Sequence, residues 1–182
     1  EHAYDTTRIS VGGSSAGGNM ALSLSARLGS ERIKSCFALY PAAHLTHPER
    51  LDTVMGCVSD KFRSGVVIPH WCMKLFINAY TTPGTDMNDP RLSPMFYDAS
   101  KFPKYVAVAC GDADTLYRMS FDLMKKISGS ASGTNVDGSR KFICVPNEAH
   151  EFNTFGRTRA SQEERDRVEG EAINMIRASW RQ

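Results

Sequence analysis

Residues 8–21 read Arg8-Ile9-Ser10-Val11-Gly12-Gly13-Ser14-Ser15-Ala16-Gly17-Gly18-Asn19-Met20-Ala21. The β-branched residues Ile9 and Val11 make the first four positions a strand. After the glycines, Met20, Leu24 and Leu28 recur every fourth residue from Ala16, a helical stripe. Gly13-Ser14-Ser15-Ala16-Gly17 therefore stands where a strand turns sharply into a helix, which is the context a G-x-S-x-G nucleophile elbow requires. Such a turn holds its central residue in a strained conformation, and flanking glycines leave room for close backbone approach. Ser15 stands at the tip with its hydroxyl exposed. The helix behind it points its N-terminus at the site and favours negative charge there. A tight βα turn without chemistry is the alternative reading.

Outward from the elbow, strand and helix alternate. The first strand covers roughly Thr7–Gly12 after a polar lead-in, and its helix runs to Leu28, with Gly29 placed as the stop. Ser35–Tyr40 is a short apolar run of the kind buried in parallel sheets, ended by Pro41. An irregular excursion occupies about 44–94. Within it Pro69 opens a helix to Tyr80 with Cys72, Leu75, Phe76 and Ala79 on one face, a face expected to pack as core rather than line an acyl pocket. Tyr105–Cys110 is the third strand, followed by a helix over Leu116–Ile127. Ser128–Ser139 is rich in Gly and Ser and reads as a flexible surface loop. Lys141–Val145 is the fourth strand. Ser161 and Glu164 form a capping-box pattern for a last helix, with Val168, Ala172, Ile176 and Trp180 as its buried stripe. This alternation predicts an α/β fold: a parallel sheet covered by helices on both faces, with sites at the carboxyl ends of its strands.

A serine hydroxyl needs a base, and the base needs a third group to hold its tautomer. His150 follows the fourth strand in a short loop and is the expected base. A surface-loop histidine is the alternative. His2 is terminal, His44 and His47 follow the second strand, and His70 starts the excursion helix. Asp112 and Asp114 both follow the third strand, and either can serve as the acid.

The stretch RISVGGSSAGGNMA resembles the α/β-hydrolase family, in its hormone-sensitive-lipase-like esterase branch. That branch usually has Asp before the nucleophile, where this chain has Ser14. Ala149-His150-Glu151-Phe152 resembles the H-x-F motif around the family's histidine. Gly111-Asp112-Ala113-Asp114-Thr115-Leu116 resembles E-x-D-P-L, with Thr115 in place of Pro. The resemblance assigns the orienting role to Asp114 and leaves Asp112 a supporting acid or helix cap. Asp89-Pro90-Arg91-Leu92-Ser93-Pro94 is similar to the D-x-x-x-S-P segment of related esterases. The order Ser, Asp, His is that of the α/β-hydrolase fold. The resemblance implies a catalytic set of Ser15, Asp114 and His150, with the Ala16 N–H as one oxyanion-hole donor. It implies an acyl-enzyme route on small or medium acyl esters, with no cofactor and no metal. The family's other oxyanion donors come from an upstream H-G-G-G loop that this sequence does not contain. The match is therefore to the C-terminal part of a family member, a single domain over 1–182 that reads as incomplete at its N-terminus. A non-catalytic hydrolase-fold remnant or binding module is the alternative from another class. An amidase or peptidase on the same fold is the nearer one.

The bulk properties fit this reading. At 182 residues, 41% hydrophobic and 23% charged, the chain is an ordinary globular domain. A net charge of +2, without a basic stripe, predicts no nucleic-acid partner, and no apolar run is long enough for an integral membrane segment. There is no secretory signal and no starting Met, so the chain reads as trimmed. Five cysteines with no C-x-x-C spacing, three of them in strands, read as buried reduced thiols and lean cytoplasmic, although Cys57 and Cys72 could pair. An apolar first strand lacking one neighbour predicts self-association through the exposed sheet edge.

Overall fold

The strands β1 (Ile9–Ser14), β2 (Ile33–Leu39), β3 (Tyr105–Gly111) and β4 (Arg140–Val145) lie side by side in chain order, all parallel. The computed structural model describes residues 5–181, and His2 lies outside them. The register sets Val11 against Cys36, Cys36 against Val106 and Val106 against Arg140. Val106 to Cys110 are fully buried, as a strand covered on both faces must be. Among the described strands β1 has a neighbour on one side only, and Ile9 on it is exposed.

Side-chain alternation sorts the sheet into two cores. Cys36, Ala38, Val106 and Val108 turn toward α1 (Ala16–Arg32), and Leu123 and Met124 of a later helix close the same cluster. Ala107, Ala109, Ile143 and Val145 turn to the other face, against Val168 and Met175. Between β2 and β3 the chain makes a long excursion through the helix α2 (His70–Tyr80), and its own apolar cluster includes Leu51, Met55, Met73 and Ile77. α3 (Tyr117–Ser128) joins β3 to β4, and after β4 come the single turn α4 (Phe152–Phe155) and the long α5 (Arg159–Ser179). Among the described residues no helix is long and apolar enough to cross a membrane.

Several elements depart from the sequence reading. α1 turns its Met20, Leu24 and Leu28 stripe outward and buries Ala21, Leu22, Ser25 and Ala26 instead. Residues four apart drift around a 3.6-residue helix, and the small side chains are those that let α1 lie close on the sheet. Gly29, at φ 72°, breaks the helix as expected.

α5 starts earlier than the Ser161–Glu164 pattern suggests. Thr158 is its cap, with Oγ1 accepting the Ser161 N–H at 3.1 Å, while Glu164 pairs with Arg167 at 2.7 Å. The buried face of α5 is Val168, Ala172, Met175 and Ser179, and Trp180 is exposed. Cys36 and Cys110 are buried, but Cys144 on β4 is exposed, and Cys57 and Cys72 are free thiols.

Candidate active site

The turn from β1 into α1 is as sharp as the elbow pattern requires. Ser15 has φ 53° and ψ −119°, a conformation that costs an L-residue strain and persists only where surroundings enforce it. Two bonds hold it. The Ser15 N–H donates to the Leu39 carbonyl at 2.9 Å, and the Ser15 carbonyl accepts the Asn19 N–H at 3.0 Å. Of the two flanking glycines only Gly13 is sterically required. A Cβ on Gly13 would lie 2.5 Å from the carbonyl of Gly17, whereas one on Gly17 would meet nothing within 4 Å. Asn19 then ties the helix to the excursion, donating to the carbonyls of Ala42 (2.7 Å) and Leu92 (2.9 Å). Ser93 closes the return by accepting the Leu45 N–H at 3.0 Å.

The structure brings Ser15, His150 and Asp114 into one chain of hydrogen bonds. His150 Nε2 lies 3.0 Å from Ser15 Oγ, and His150 Nδ1 lies 2.8 Å from Asp114 Oδ2. An ionised carboxylate only accepts, so Asp114 assigns the proton to Nδ1 and leaves the Nε2 lone pair for the serine hydroxyl. Asp114 is fully buried, and its second oxygen accepts the Leu116 N–H at 2.8 Å, at the N-terminal end of α3 where a negative charge is favoured. His150 itself is 3% exposed.

Asp112 is elsewhere: its Oδ1 accepts the Asn147 N–H at 2.7 Å and its carbonyl accepts the Val58 and Ser59 N–H groups. The other described histidines are apart from the serine. His44 stacks edge-on to Phe96, His47 is exposed, and His70 pairs with Asp52 at 2.6 Å.

Tyr40 was not legible as a site residue. It sits at φ 36°, fully buried, with its ring centroid 4.4 Å from that of His150. Burial pushes its hydroxyl up to about 12, so it stays protonated and donates to Asn153 Oδ1. The one sequence signal was its place at the end of an apolar strand before Pro41, which says nothing of the histidine 110 residues on.

Ser15, Ala16 and His150 open onto a cavity of about 760 Å³. Met20, Leu45, Ile68, Phe76 and Leu116 are on its wall, with Cys72 and Ala79 of α2, and Glu151 is the acidic residue on it. The expectation that the Cys72, Phe76, Ala79 face of α2 packs as core is thus corrected: that face lines the cavity, which the buried Met73 and Ile77 also reach, while Leu75 is exposed. The Ala16, Gly17 and Gly18 N–H groups open α1 beneath Ser15 and have no partner within the helix. Among the described residues no group of three or more His, Cys, Asp or Glu side chains is placed to hold a metal ion.

Solved structures share this arrangement of elements. EstE1, a thermophilic carboxylesterase cloned from a metagenomic library, superposes with a TM-score of 0.72 at 25% identity over 96% of this chain and 56% of its own. The hyperthermophilic esterase of the archaeon Pyrobaculum calidifontis superposes with a TM-score of 0.67 at 19% identity, over 94% of this chain and 53% of its own. Brefeldin A esterase, a bacterial homologue of human hormone sensitive lipase, gives 0.65 at 21% identity, over 94% and 49%. The chain thus spans about half the length of these proteins. No curated protein matches it by sequence. A family model of the alpha/beta hydrolase fold matches residues 1–154, and with most of its length matched the chain belongs to that family.

Proposed function

We propose that this chain carries the catalytic residues of a serine carboxylic-ester hydrolase acting on small or medium acyl esters. The observation that carries the reading is the Ser15–His150–Asp114 relay, with both contacts at hydrogen-bond length and its serine at the mouth of an apolar cavity. The carboxylesterase descriptions of EstE1 and its like support the choice of ester.

In the first half-reaction Ser15 Oγ attacks the ester carbonyl carbon as its proton passes to His150 Nε2. The negative oxygen that forms accepts the Ala16 N–H and lies at the N-terminus of α1. Asp114 stabilises the imidazolium through Nδ1–H. The tetrahedral adduct collapses to an acyl-serine. Its alcohol leaves with the proton from Nε2. In the second half water attacks the acyl carbon, gives its proton to Nε2, and the acid departs as Ser15 recovers its hydrogen. The apolar wall suits an uncharged hydrocarbon portion, which gains about 25 cal/mol for each Å² removed from water.

Covalent capture tests this. In the complete protein a fluorophosphonate is expected to label Ser15, found by peptide mass spectrometry, and Ser15→Ala is expected to abolish both labelling and p-nitrophenyl butyrate hydrolysis. Labelling at Ser14 instead, or a fully active Ser15→Ala protein, overturns the reading.

A further inference from the structure

Two residues before His150 the chain buries a second carboxylate that the relay does not use. Glu148 is fully buried, and each of its oxygens is engaged. Oε1 accepts from Arg63 Nε at 3.1 Å and from Ser161 Oγ at 2.8 Å, and lies 3.1 Å from Arg63 Nη2. Oε2 accepts from Ser64 Oγ. These donors come from two separate segments, the excursion near Ser64, 84 residues before Glu148, and the first turn of α5, 13 residues after it. The backbone of Glu148 reaches a third: its carbonyl accepts the Ala113 N–H at 3.1 Å, next to Asp114.

The same excursion segment grips the histidine loop along its length. The Arg63 N–H donates to the Asn147 carbonyl at 2.7 Å, and Arg63 Nη2 donates to the Pro146 carbonyl at 2.8 Å. The Ala149 N–H donates to Ser64, and Val66 and His150 exchange both their N–H and carbonyl bonds. Gly65 permits that approach. It sits at φ 93°, and a Cβ there would lie 2.4 Å from the His150 carbonyl.

A buried charge is costly unless it is fully hydrogen-bonded, and an apolar side chain would fill the same volume without that cost. What an apolar side chain would not supply is direction. Four polar contacts from two segments leave the Glu148 side chain, and the two residues beyond it, one arrangement. Base and nucleophile here come from different elements, so the Nε2 to Oγ distance depends on where this loop is held.

We propose that Glu148 is a positioning residue for proton transfer, fixing the His150 loop through Arg63, Ser64 and Ser161 so that Nε2 meets Ser15. This rests on the reading of Ser15, Asp114 and His150 given above. Glu148 is not on the cavity wall, so its loss acts on turnover rather than on substrate affinity.

The test compares wild type, Glu148→Gln and Ser161→Ala in the complete protein. Glu148→Gln keeps the size but removes the charge that Arg63 pairs with. It is expected to lower kcat about tenfold or more, with KM within about twofold, since small displacements of a catalytic group have effects of that order. Ser161→Ala removes one of the contacts to Glu148, along with a hydroxyl bond to Thr158, and is expected to lower kcat about threefold to fivefold, the loss of one hydrogen bond to the carboxylate. Two further readouts separate positioning from mere stability. The first is the rate constant for fluorophosphonate capture per folded molecule, which should fall in step with kcat. The second is the downfield proton resonance of His150 Nδ1–H, which should shift or broaden in both variants. A lower melting temperature with unchanged capture rate and unchanged resonance overturns the proposal. Should Glu148→Gln not fold, Ser161→Ala decides by the same readouts. A wild-type protein that is never labelled at Ser15 refutes the esterase reading, and the His150 resonance then still decides whether Glu148 holds the loop.

Discussion

The turn after β3 and the turn after β4 each bury a carboxylate completely, and the two carboxylates are used differently. Asp114 gives one oxygen to a backbone N–H of its own turn and the other to the ring of His150. It is held locally, so its free side can face a group that must change protonation. Glu148 gives both oxygens to donors from elsewhere in the fold and has none left for the reacting atoms. A carboxylate that orients a base needs few partners and a fixed direction. One that joins segments needs many partners, and its charge is fully compensated where it stands.

The largest expected effect tests the first half of that contrast. Asp114→Asn places an amide against Nδ1. The amide donates as readily as it accepts, so the ring can reverse its tautomer and turn an N–H toward Ser15. With the proposed role correct, kcat falls by about 10³–10⁴ while KM and the denaturation midpoint change little. A loss no larger than that of Glu148→Gln would erase the distinction between the two acids.

The same contrast explains what could be read beforehand. The four strands were legible from short β-branched or apolar stretches between breakers, and the elbow from Gly13 two residues before Ser15, where a Cβ would meet the Gly17 carbonyl. Asp114 and His150 follow strand ends, where a parallel sheet puts its sites. Glu148 and Tyr40 left no such trace. Their partners lie 85 and 113 residues away, at Arg63 and Asn153, and long-range bonds have no local pattern. Ser161 shows how a local pattern misleads. Its hydroxyl, read as a helix cap, is bonded to Glu148 and to Thr158, and Thr158 does the capping. The α2 face was misread for a related reason: helical periodicity marks an apolar side but not whether side chains or a cavity lie opposite it.

The second prediction acts where the two turns touch. A Cβ on Gly111 would lie 2.0 Å from the Glu148 carbonyl oxygen and 2.6 Å from its carbon, both backbone atoms that cannot swing aside. Gly111→Ala must therefore separate the Asp114 turn from the His150 loop. Overpacking of this kind costs about 1–3 kcal/mol, to be read from urea denaturation. If the packing of the two turns sets the relay, kcat per titrated active site also falls about 10²-fold, because the two ends of the Nδ1–Asp114 bond are moved apart. A variant with wild-type turnover would mean that the turns part without disturbing His150, and the link between them would be broken.

The smallest effect is expected two residues from the largest. Asp112 shares a turn with Asp114 and has the same chemistry, but its geometry differs in each respect that matters. It is half-buried rather than enclosed, and its side chain accepts the Asn147 N–H, on the far side of Glu148 from His150. Its carbonyl, which receives the Val58 and Ser59 N–H groups, is backbone and survives any substitution. Asp112→Asn keeps an acceptor oxygen for Asn147 and removes a charge that touches no part of the relay. Stability is expected to stay within about 0.5 kcal/mol and kcat within about twofold of wild type. The measurement is a side-by-side assay of Asp112→Asn and Asp114→Asn, each normalised to phosphonate-titrated sites. Should Asp112→Asn lose as much as Asp114→Asn, the bond between Nδ1 and Asp114 would not be the one that orients the base. The contrast between a locally held acid and a shared one would then have to be drawn from Asp112 instead.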